Sequence, residues 1–476
     1  MVGRSEEIYE LEKLYESKKP ELVAIYGRRR VGKTYLVSET FSDRITFHHA
    51  GLSPAVDNSV GILKRQLSHF YNSLLLSGME ESRTPASWME AFLLLEKYLQ
   101  SIDDGRKQLI FFDELPWLDT PKSGFMQAFE GFWNTWACYR KNIMVIVCGS
   151  AISWMKDVLI NNHGGLYNRV TYEINLKPFN LSECEQFLMD NNINYSRYDI
   201  VQSYMVFGGI PFYLGYMDSR YNLAQNINRL FFSEKGRLKH EFDRLFDSIF
   251  VNPEVSKSIV RFLYTKNAGY TRKEIVDSNI LTNGGRLTSH LNSLIACNFI
   301  IKYVPFGLGK RQECYKLVDP FCLFYLHFIE GQTKLNEKQW EQSIGTPPIN
   351  TWRGLAFENV CFNHIEQIKK ALGISGVISS TSPWSKRSDD ETGAQIDLLI
   401  ERNDNVINMC EMKFYRDVFV VNKDYYRTLL RRQDMILERV SRRIAVHSTL
   451  ITTFGLKKNE YSNAFNNVIT LDDLFS

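Results

Sequence analysis

Eight consecutive residues, Gly27 to Thr34 (Gly-Arg-Arg-Arg-Val-Gly-Lys-Thr), have the types and spacing needed to bind a phosphate chain. They follow an apolar run, Leu22–Tyr26, and precede a helix-like segment, Tyr35–Phe41. The two glycines let successive main-chain N–H groups turn toward a phosphate, and the start of the helix adds a positive dipole end. The pattern therefore predicts a P-loop that binds a nucleoside triphosphate.

The residues of this loop have different expected roles. Lys33 would contact the β- and γ-phosphates as a point charge, and Thr34 would offer its hydroxyl group to Mg²⁺. The full expected nucleotide-binding segment is Gly27, Arg28, Arg29, Arg30, Val31, Gly32, Lys33, Thr34 and Tyr35. The alternative is a surface turn rich in glycine and arginine, and the flanking strand and helix argue against it.

Two adjacent carboxylates follow a second apolar run. Leu109–Phe112 is typical of a buried parallel strand, and Asp113 and Glu114 stand at its carboxyl end, where ligands bind in open α/β sheets. Asp113 would hold Mg²⁺, directly or through water, and Glu114 would polarise the attacking water as a general base. Taken alone, the pair would fit a solvated turn after a core strand; the P-loop upstream favours catalysis.

Two further residues lie where a nucleotide site would need them. The apolar run Ile143–Cys148 ends in Gly149-Ser150, and a small polar residue there can touch the γ-phosphate or the attacking water. Arg169 precedes a strand-like segment and is a candidate for neutralising transition-state charge, in its own subunit or in a neighbour. A surface arginine in a loop is the alternative for Arg169, and it stays open.

Composition limits the class of protein. The chain has 476 residues, of which 44% are apolar and 23% charged, as expected for a globular protein of about three domains. The net charge of +3 is nearly balanced, so affinity for nucleic acid must come from local patches. Eight cysteines without a C-x-x-C pair predict buried, reduced thiols. The charged amino terminus and the lack of a long apolar run predict a cytoplasmic protein without membrane contact.

The middle of the chain is predicted to be mostly helical. Residues 181–250 contain amphipathic helices interrupted at 207–211, and we interpret them as a lid over the nucleotide. Three short helical stretches and two strand-like segments follow in residues 256–318, which is the layout of a winged helix. Its basic residues Arg286, Lys310 and Arg311 are candidates for contacts with DNA phosphates. A module used only for packing and coupling remains the alternative.

The last quarter places charged residues inside apolar runs. Asp397 interrupts Ile396–Ile400, and Glu411 and Lys413 share one face of a strand because side chains alternate. Asp397 and Glu411 can hold Mg²⁺, and Lys413 can orient or deprotonate a water molecule. Glu358, on a helix predicted over 351–372, would complete the site. A buried Lys–Glu pair in an inactive fold is the alternative.

The surroundings of this cluster follow an α-β-β-β-α-β order, which predicts a mixed sheet flanked by helices. Pro347-Pro348 is interpreted as a break that marks the start of this region. The arginines that crowd the helix predicted over 423–440 and the segment after it are Arg427, Arg431, Arg432, Arg439, Arg442 and Arg443. They fit either a track for a nucleic-acid backbone or a solvated helix face.

Several of these motifs together resemble a known family. They are Gly3-Arg4-x-x-Glu7, the P-loop, Phe112-Asp113-Glu114, Cys148-Gly149-Ser150 and Tyr167-x-Arg169. The set resembles prokaryotic AAA+/STAND-type ATPases of the archaeal group. The resemblance implies that Gly3 and Arg4 lie near the adenine, that Ser150 is the sensor-1 residue, although Asn or Thr is more usual there, and that Arg169 is a finger or sensor.

The carboxyl-terminal Glu…Asp…Glu-x-Lys order resembles the PD-(D/E)xK nuclease superfamily. Together the resemblances predict an α/β protein with a P-loop ATPase domain (1–180), a helical lid (181–250), a winged helix (251–345) and a nuclease-like domain (346–476). The expected ligands are ATP, Mg²⁺ and DNA, and a homo-oligomer stays open. The alternative function is a nucleotide-regulated switch that binds DNA or another partner without cutting it.

Overall fold

The chain divides into two compact units in the computed structural model, which describes residues 2–53, 61–161, 164–250, 252–332, 336–386 and 394–476. The first unit comprises Met1–Pro178 with Ser248–Val251, and the second comprises Phe179–Asp247 with Asn252–Ser476. The four domains predicted from the sequence divide the chain more finely, and their boundaries stay predictions.

The first unit is an α/β fold around a parallel sheet. Its elements are α1 (Ser5–Tyr15), β1 (Glu21–Tyr26), α2 (Lys33–Thr40), β2 (Ile45–Ala50), α3 (Ile62–Leu76), α4 (Trp88–Ser101), β3 (Gln108–Asp113), α5 (Phe125–Thr135), β4 (Ile143–Gly149), α6 (Ile152–Trp154) and β5 (Tyr172–Asn175). The described strands lie in the order β2-β3-β4-β1-β5, and every neighbouring pair is parallel. Strands β1 and β4 are buried along their whole length, as expected for the centre of such a sheet.

This strand order explains why the candidate residues meet. Because β3, β4 and β1 are consecutive in the sheet, their carboxyl ends lie side by side at one edge. The P-loop follows β1, Asp113 and Glu114 end or follow β3, and Ser150 follows β4. The sheet therefore brings together residues that are far apart in the sequence.

The predicted strands of the first unit are confirmed, with small shifts in their ends. The runs 22–26, 109–112 and 143–148 lie within Glu21–Tyr26, Gln108–Asp113 and Ile143–Gly149. Helices α4 and α5 are not anticipated by the sequence patterns above. In both helices, buried apolar residues stand next to one another, as in Ala91-Phe92, so a simple helical period is obscured.

The second unit contains helices and two sheets. Its elements are α7 (Leu181–Asp190), α8 (Arg197–Phe207), α9 (Pro211–Leu214), α10 (Leu223–Ile227), α11 (Glu241–Ile249), α12 (Pro253–Tyr264), β6 (Tyr270–Thr271), α13 (Arg272–Asp277), α14 (Gly285–Ala296), β7 (Ile300–Tyr303), β8 (Cys314–Leu317), α15 (Pro320–Phe328), α16 (Gln339–Ser343), α17 (Pro347–Asn363), α18 (Ile365–Ala371), β9 (Ser379–Lys386), β10 (Ala394–Arg402), β11 (Val406–Lys413), α19 (Lys423–Leu437), β12 (Ala445–Thr452), β13 (Asn467–Ile469) and α20 (Leu471–Leu474).

The two sheets differ in strand direction. Strands β6, β8 and β7 form a small antiparallel sheet beside α12, α13 and α14. The three helices and two strands predicted for residues 256–318 occur in the expected order, with β6 as an additional short strand between α12 and α13, and the winged-helix identity stays a prediction. The larger sheet has the order β13-β12-β11-β10-β9, with β9 to β11 antiparallel and β11 to β13 parallel. The mixed sheet predicted for the last quarter is therefore confirmed.

One local prediction in this unit is made more exact and another is wrong. Pro347 and Pro348 form the first turn of α17, where a missing N–H group removes no hydrogen bond, and the domain boundary there stays a prediction. The single helix predicted over 351–372 is divided into α17 and α18 at His364, whose backbone leaves the helical region (φ −122°).

His364 is a buried histidine that supports the start of another helix. Its side chain is fully buried, Nε2 accepts a hydrogen bond from the Leu181 N–H (3.0 Å), and Nδ1 donates to the Val360 carbonyl (2.7 Å). Leu181 is the first residue of α7, and its N–H has no partner inside that helix. Burial lowers the pKa of His364 to about 4, so the folded protein keeps this ring neutral.

We expect this histidine to make the second unit less stable in acid. The unfolded chain binds the proton near its ordinary pKa of 6.5 and the folded chain only near 4, so stability is lost as pH falls through this interval. The contribution between about pH 7.5 and about pH 5 is about 2 kcal/mol. Denaturant-dependent hydrogen exchange of the segments around α7 and α17 should show this loss in the wild type and a smaller one in His364→Gln. His447→Gln, at a partly exposed position in β12, is the matched control.

Two general expectations can be compared with the described residues. No helix among them combines the length and apolar character needed to cross a bilayer. Buried cysteines are Cys148, Cys184, Cys297, Cys322, Cys361 and Cys410, whereas Cys138 and Cys314 are partly exposed. The expectation of buried thiols therefore holds for most of the cysteines.

Candidate functional site

The P-loop of the first unit adopts a tight turn between β1 and α2. A Cβ atom at Gly27 would lie 2.3 Å from the Leu176 carbonyl oxygen, so the close approach of these two segments requires glycine. Arg30 and Gly32 have left-handed backbones (φ 73° and 93°), and α2 begins at Lys33. Positive φ at a non-glycine residue is uncommon and is a feature of ligand-binding turns.

Lys33 lies within this turn and not at the surface. Its side chain is 6% exposed, and Nζ donates hydrogen bonds to the carbonyl oxygens of Gly27 (3.1 Å) and Arg28 (3.3 Å). The ammonium group is therefore held against the loop that precedes the helix. A phosphate in the loop would meet a fixed positive charge there.

Thr34, Asp113, Glu114 and Ser150 form a connected set of hydrogen bonds. The Thr34 hydroxyl donates to Asp113 Oδ2 (2.8 Å), and the Glu114 N–H donates to Asp113 Oδ1 (3.0 Å). The N–H and hydroxyl groups of Ser150 both donate to Glu114 Oε2 (3.0 and 2.9 Å). Glu114 itself has a left-handed backbone (φ 46°), which places a strained residue at the sheet edge.

This set fits Mg²⁺. A threonine hydroxyl and a carboxylate, Thr34 and Asp113, lie side by side, and Mg²⁺ prefers oxygen ligands of this kind. Glu114 is the next residue after Asp113, and Ser150 holds its carboxylate through two hydrogen bonds. The Glu114 side chain therefore lies near the Thr34 and Asp113 oxygens but makes no hydrogen bond to them. The arrangement can hold an ion and, separately, present a carboxylate to a water molecule.

The other predicted residues of the first unit lie at different depths. Arg4 is buried and donates from Nη2 to the carbonyl oxygens of Val31 (3.3 Å) and Lys177 (2.8 Å), which ties the amino terminus to the P-loop. Gly3 precedes it with a left-handed backbone. Arg29 lies over the Trp117 ring, with 5.7 Å between its guanidinium carbon and the ring centroid.

Tyr35 and Arg169 lie on the surface of the first unit. The Tyr35 ring is 57% exposed although it follows the P-loop directly. Arg169 is exposed in a turn, where its N–H donates to the Leu166 carbonyl (3.0 Å), and its guanidinium group makes no hydrogen bond or ion pair with a described residue. The Arg169 side chain thus makes no hydrogen bond or ion pair with the hydrogen-bonded set formed by Thr34, Asp113, Glu114 and Ser150.

The second unit brings Asp397, Glu411 and Lys413 together on adjacent strands. Lys413 Nζ lies 3.7 Å from Asp397 Oδ2 and 3.5 Å from Glu411 Oε2. Asp397 stands where the register between β10 and β9 shifts, and such bulges often redirect a side chain beside an active site. Its Oδ2 atom also accepts a hydrogen bond from the Met412 N–H (2.9 Å).

Glu411 has partners that the sequence did not reveal. It is fully buried, and its two oxygens accept hydrogen bonds from Arg432 Nη1 (2.5 Å) and the Tyr425 hydroxyl (2.8 Å). Its charge is thus compensated within the chain, in contrast to the expectation that it shares Mg²⁺ with Asp397. Among the described residues, no group of three or more His, Cys, Asp and Glu side chains is arranged to hold a metal ion.

Glu358 and Asp397 line a cavity of about 520 Å³. Glu358 accepts a hydrogen bond from Asn267 Nδ2 (3.0 Å), and burial, followed by the nearby Asp397 charge, raises its pKa to about 7. Burial also raises the pKa of Asp397, against the opposing effect of Lys413. Two buried carboxylates in one cavity are a donor set that suits a hard cation such as Mg²⁺, with water completing the shell.

The structure corrects one part of the predicted arginine track. Arg432 is turned inward to Glu411, whereas Arg427, Arg431, Arg439, Arg442 and Arg443 are exposed. In the small antiparallel sheet region, Arg286 and Arg311 are exposed, and the side chain of Lys310 lies outside the described part of the chain. The nucleic-acid interpretation of these exposed residues stays a prediction.

Sequence reasoning missed four residues of the second site. They are Asn267, Lys316, Tyr425 and Arg432. Each reaches the acidic cluster from an element that carries no part of the Glu…Asp…Glu-x-Lys motif. The available signal was a charge within an apolar run, as at Lys316 in Cys-Tyr-Lys-Leu-Val, since such a residue needs a partner when buried.

The first site lies in a part of the chain that matches a known family model. Residues 1–217 match the family model described as "ATPase domain predominantly from Archaea". An uncharacterised protein of Methanocaldococcus jannaschii, MJECL04, is 26% identical over 439 residues, which cover 90% of this chain and 91% of the relative.

Two solved structures are also similar. The Walker-type ATPase PABY2304 of Pyrococcus abyssi is 20% identical, with a TM-score of 0.47, and the match covers 69% of this chain and 96% of that one. The Aeropyrum pernix ORC2 protein is 12% identical, with a TM-score of 0.39, and the match covers 69% and 94% of the two chains.

Proposed function

We propose that this chain, whose residues 1–217 match the archaeal ATPase family model, binds ATP with Mg²⁺ and hydrolyses it, and that its carboxyl-terminal region is a nuclease-like domain acting on nucleic acid. The observation that carries the first part is the bond between the Thr34 hydroxyl and Asp113, with Glu114 held by Ser150 alongside. These four residues come from the carboxyl ends of three strands of one sheet, β1, β3 and β4.

In this proposal the P-loop binds the triphosphate through its main-chain N–H groups and Lys33. The Lys33 ammonium now bonded to Gly27 and Arg28 carbonyls would exchange these for β- and γ-phosphate oxygens, which are stronger acceptors. Glu114 orients the attacking water and accepts its proton, while Ser150 fixes the carboxylate through two hydrogen bonds. Arg4 stabilises the loop near the adenine, together with Gly3.

Mg²⁺ held by Thr34 and Asp113 would supply positive charge to the phosphate oxygens. Arg169, exposed and without a side-chain partner among the described residues, is available to neutralise charge at the γ-phosphate, in its own subunit or across a homo-oligomer. Residues 181–250 serve as the lid and 251–345 as a winged helix that contacts DNA or transmits the nucleotide state.

The second part of the proposal rests on the cavity in the second unit. Asp397 and Glu358 line it, and Lys413, which is outside the lining, lies 3.7 Å from Asp397 and so adjoins this carboxylate. Glu358 and Asp397 would hold Mg²⁺, which would act as a Lewis acid on a phosphate. Lys413 orients a water molecule or stabilises negative charge on a phosphate oxygen.

A specific observation favours the alternative function. Glu411, the acidic residue of the Glu-x-Lys motif, is fully buried and bonded to Arg432 and Tyr425. A carboxylate occupied in this way suits a domain that binds nucleic acid under the control of ATP and does not cut it. The two functions differ in cleavage alone.

Cleavage by wild type and by Lys413→Ala discriminates between them. We expect wild-type protein to cleave a nucleic acid in the presence of Mg²⁺ or Mn²⁺, and Lys413→Ala to be slower by roughly 10²-fold, the usual effect of removing one charge-stabilising group. The substrates are single-stranded DNA, duplex DNA and RNA, measured by gel assay.

Lys458→Ala is the matched control, since this lysine is exposed and distant in sequence from the motif. Circular dichroism checks that Lys413→Ala folds, because the change leaves two buried carboxylates with less compensation. Equal inactivity of both proteins on all three substrates would reject cleavage and leave the regulated binding function.

A further inference from the structure

The ammonium group of one buried lysine has no acceptor in the described part of the second unit. Lys316 lies in β8, is 2% exposed, and makes no hydrogen bond or ion pair with a described residue. Its Nζ atom lies 4.9 Å from the centroid of the Phe362 ring. An ammonium group carries three donors, and burying it without acceptors is unfavourable. A ligand that brings anionic oxygen atoms would remove this deficit.

Lys316 lines the same cavity as the acidic residues. The cavity is bounded on one side by Lys316 and Asn267, from the region of the small antiparallel sheet, and on the other by Glu358 and Asp397. Burial lowers the pKa of Lys316, and the charges of Glu358 and Asp397 oppose that effect. The cavity is thus formed where the region of the small antiparallel sheet packs against α17 and β10.

The charges around the cavity single out Lys316. The cationic groups that line the cavity are Lys266 and Lys316, and the lining carboxylates are Glu274, Glu358 and Asp397. Lys266 forms an ion pair with Glu274 (3.0 Å), and Glu358 accepts a hydrogen bond from the neutral amide of Asn267. Asp397 lies 3.7 Å from Lys413, which is not part of the lining. Lys316 is the cation of this set that is left outside any ion pair.

The walls also contain aromatic surface. Trp384 and Tyr303 line the cavity with Lys316, and the guanidinium carbon of Arg439 lies 5.1 Å from the centroid of the Trp384 ring. Aromatic rings beside a cation are the usual means of binding single strands, in which bases stack and phosphates pair with charge. A free phosphate ion would pair with the Lys316 ammonium group but would have no base to stack on Trp384 and Tyr303.

We propose that Lys316 binds a phosphate group in this cavity, and that the phosphate belongs to a single nucleic-acid strand whose bases lie against Trp384 and Tyr303. The strand as ligand rests on the proposed function of the carboxyl-terminal region. Lys316 would be a positioning residue that sets the phosphate near Glu358 and Asp397.

The test uses Lys316→Met in the full chain, which keeps the length of the side chain and removes its charge. The probe is a fluorescent oligodeoxythymidylate, titrated in Ca²⁺ to prevent cleavage. We expect affinity to fall by roughly tenfold or more, and the slope of log affinity against log salt to decrease in magnitude by about 0.7, the value for one phosphate contact on a single strand. Lys302→Met, an exposed lysine of β7 paired with Glu313, should change neither.

Four further results decide the outcome. The melting temperature of Lys316→Met checks that the variant folds, because the change removes a buried charge and also the partial compensation that Lys316 gives Glu358 and Asp397. Unchanged affinity and salt slope, with cleavage intact, would overturn this inference and leave the proposed function standing. Binding of inorganic phosphate that depends on Lys316, with unchanged oligonucleotide binding, would overturn the assignment to a strand. A wild type that neither binds nor cuts the probe would reject the proposed function and this assignment together.

Discussion

Glu114→Gln is expected to bind ATP with wild-type affinity and to hydrolyse it roughly 10²- to 10⁴-fold more slowly, the range for loss of a general base. Glu114 lies one residue beyond Asp113, and its side chain makes no bond to the Thr34–Asp113 pair, so nucleotide and ion binding should survive the change. An amide cannot accept the proton of the attacking water. The measurement is phosphate release at saturating ATP, beside equilibrium binding of a fluorescent ATP analogue.

The glutamine is a conservative change at this position. Its carbonyl oxygen can still accept hydrogen bonds from the Ser150 N–H and hydroxyl groups. These bonds should therefore continue to hold residue 114 in its left-handed backbone conformation. Glu39→Gln, at an exposed position of α2, is the matched control for loss of a carboxylate. Equal turnover by Glu114→Gln and wild type would remove Glu114 from the mechanism.

Lys33→Ala is expected to lose ATP binding, by roughly 10²-fold or more, since a charge-assisted contact to phosphate contributes about 3 kcal/mol. The ammonium group is buried within the turn and held by two carbonyl oxygens, so it is positioned before the nucleotide arrives. Alanine would leave these carbonyls without their donor and the phosphates without their cation. Isothermal titration with ATP and Mg²⁺ measures the loss.

Lys97→Ala provides the comparison for this change, because Lys97 is exposed in α4 of the same unit and alanine is a good helix former. Near-normal ATP affinity in Lys33→Ala would show that the P-loop amides alone account for binding. It would also mean that the buried position of Lys33 does not serve phosphate binding.

The first site could be predicted closely because each of its parts is a local pattern. The P-loop lies in one short stretch, and Asp113 and Glu114 directly follow a buried strand. The bond between Thr34 and Asp113 joins residues far apart in sequence, and it follows from the order of parallel strands in the sheet. The local sequence patterns and the order of the parallel strands together are enough to predict which residues of the first site lie side by side.

The second site could be predicted only in part. Asp397, Glu411 and Lys413 lie on adjacent strands, and their proximity follows from strand pairing. The bonds from Arg432 and Tyr425 to Glu411 depend on how α19 packs on the sheet, which no motif contains. Lys316 reaches the cavity from another sheet, so its position depends on packing between distant segments.

His364 illustrates a third kind of limit. Helical periodicity continues across residues 351–372, yet the helix is interrupted where the buried ring meets Leu181, a residue distant in sequence. A tertiary hydrogen bond here outweighs local helix preference. Periodicity alone therefore gives the right element type and the wrong boundary.

Equilibrium binding of ATP to the purified wild-type chain, with and without Mg²⁺, tests the central claim most directly. The arrangement of Lys33, Thr34 and Asp113 predicts saturable binding at one site per chain, stronger with Mg²⁺ than without it. Absence of any affinity for adenine nucleotides in the presence of Mg²⁺ would contradict it.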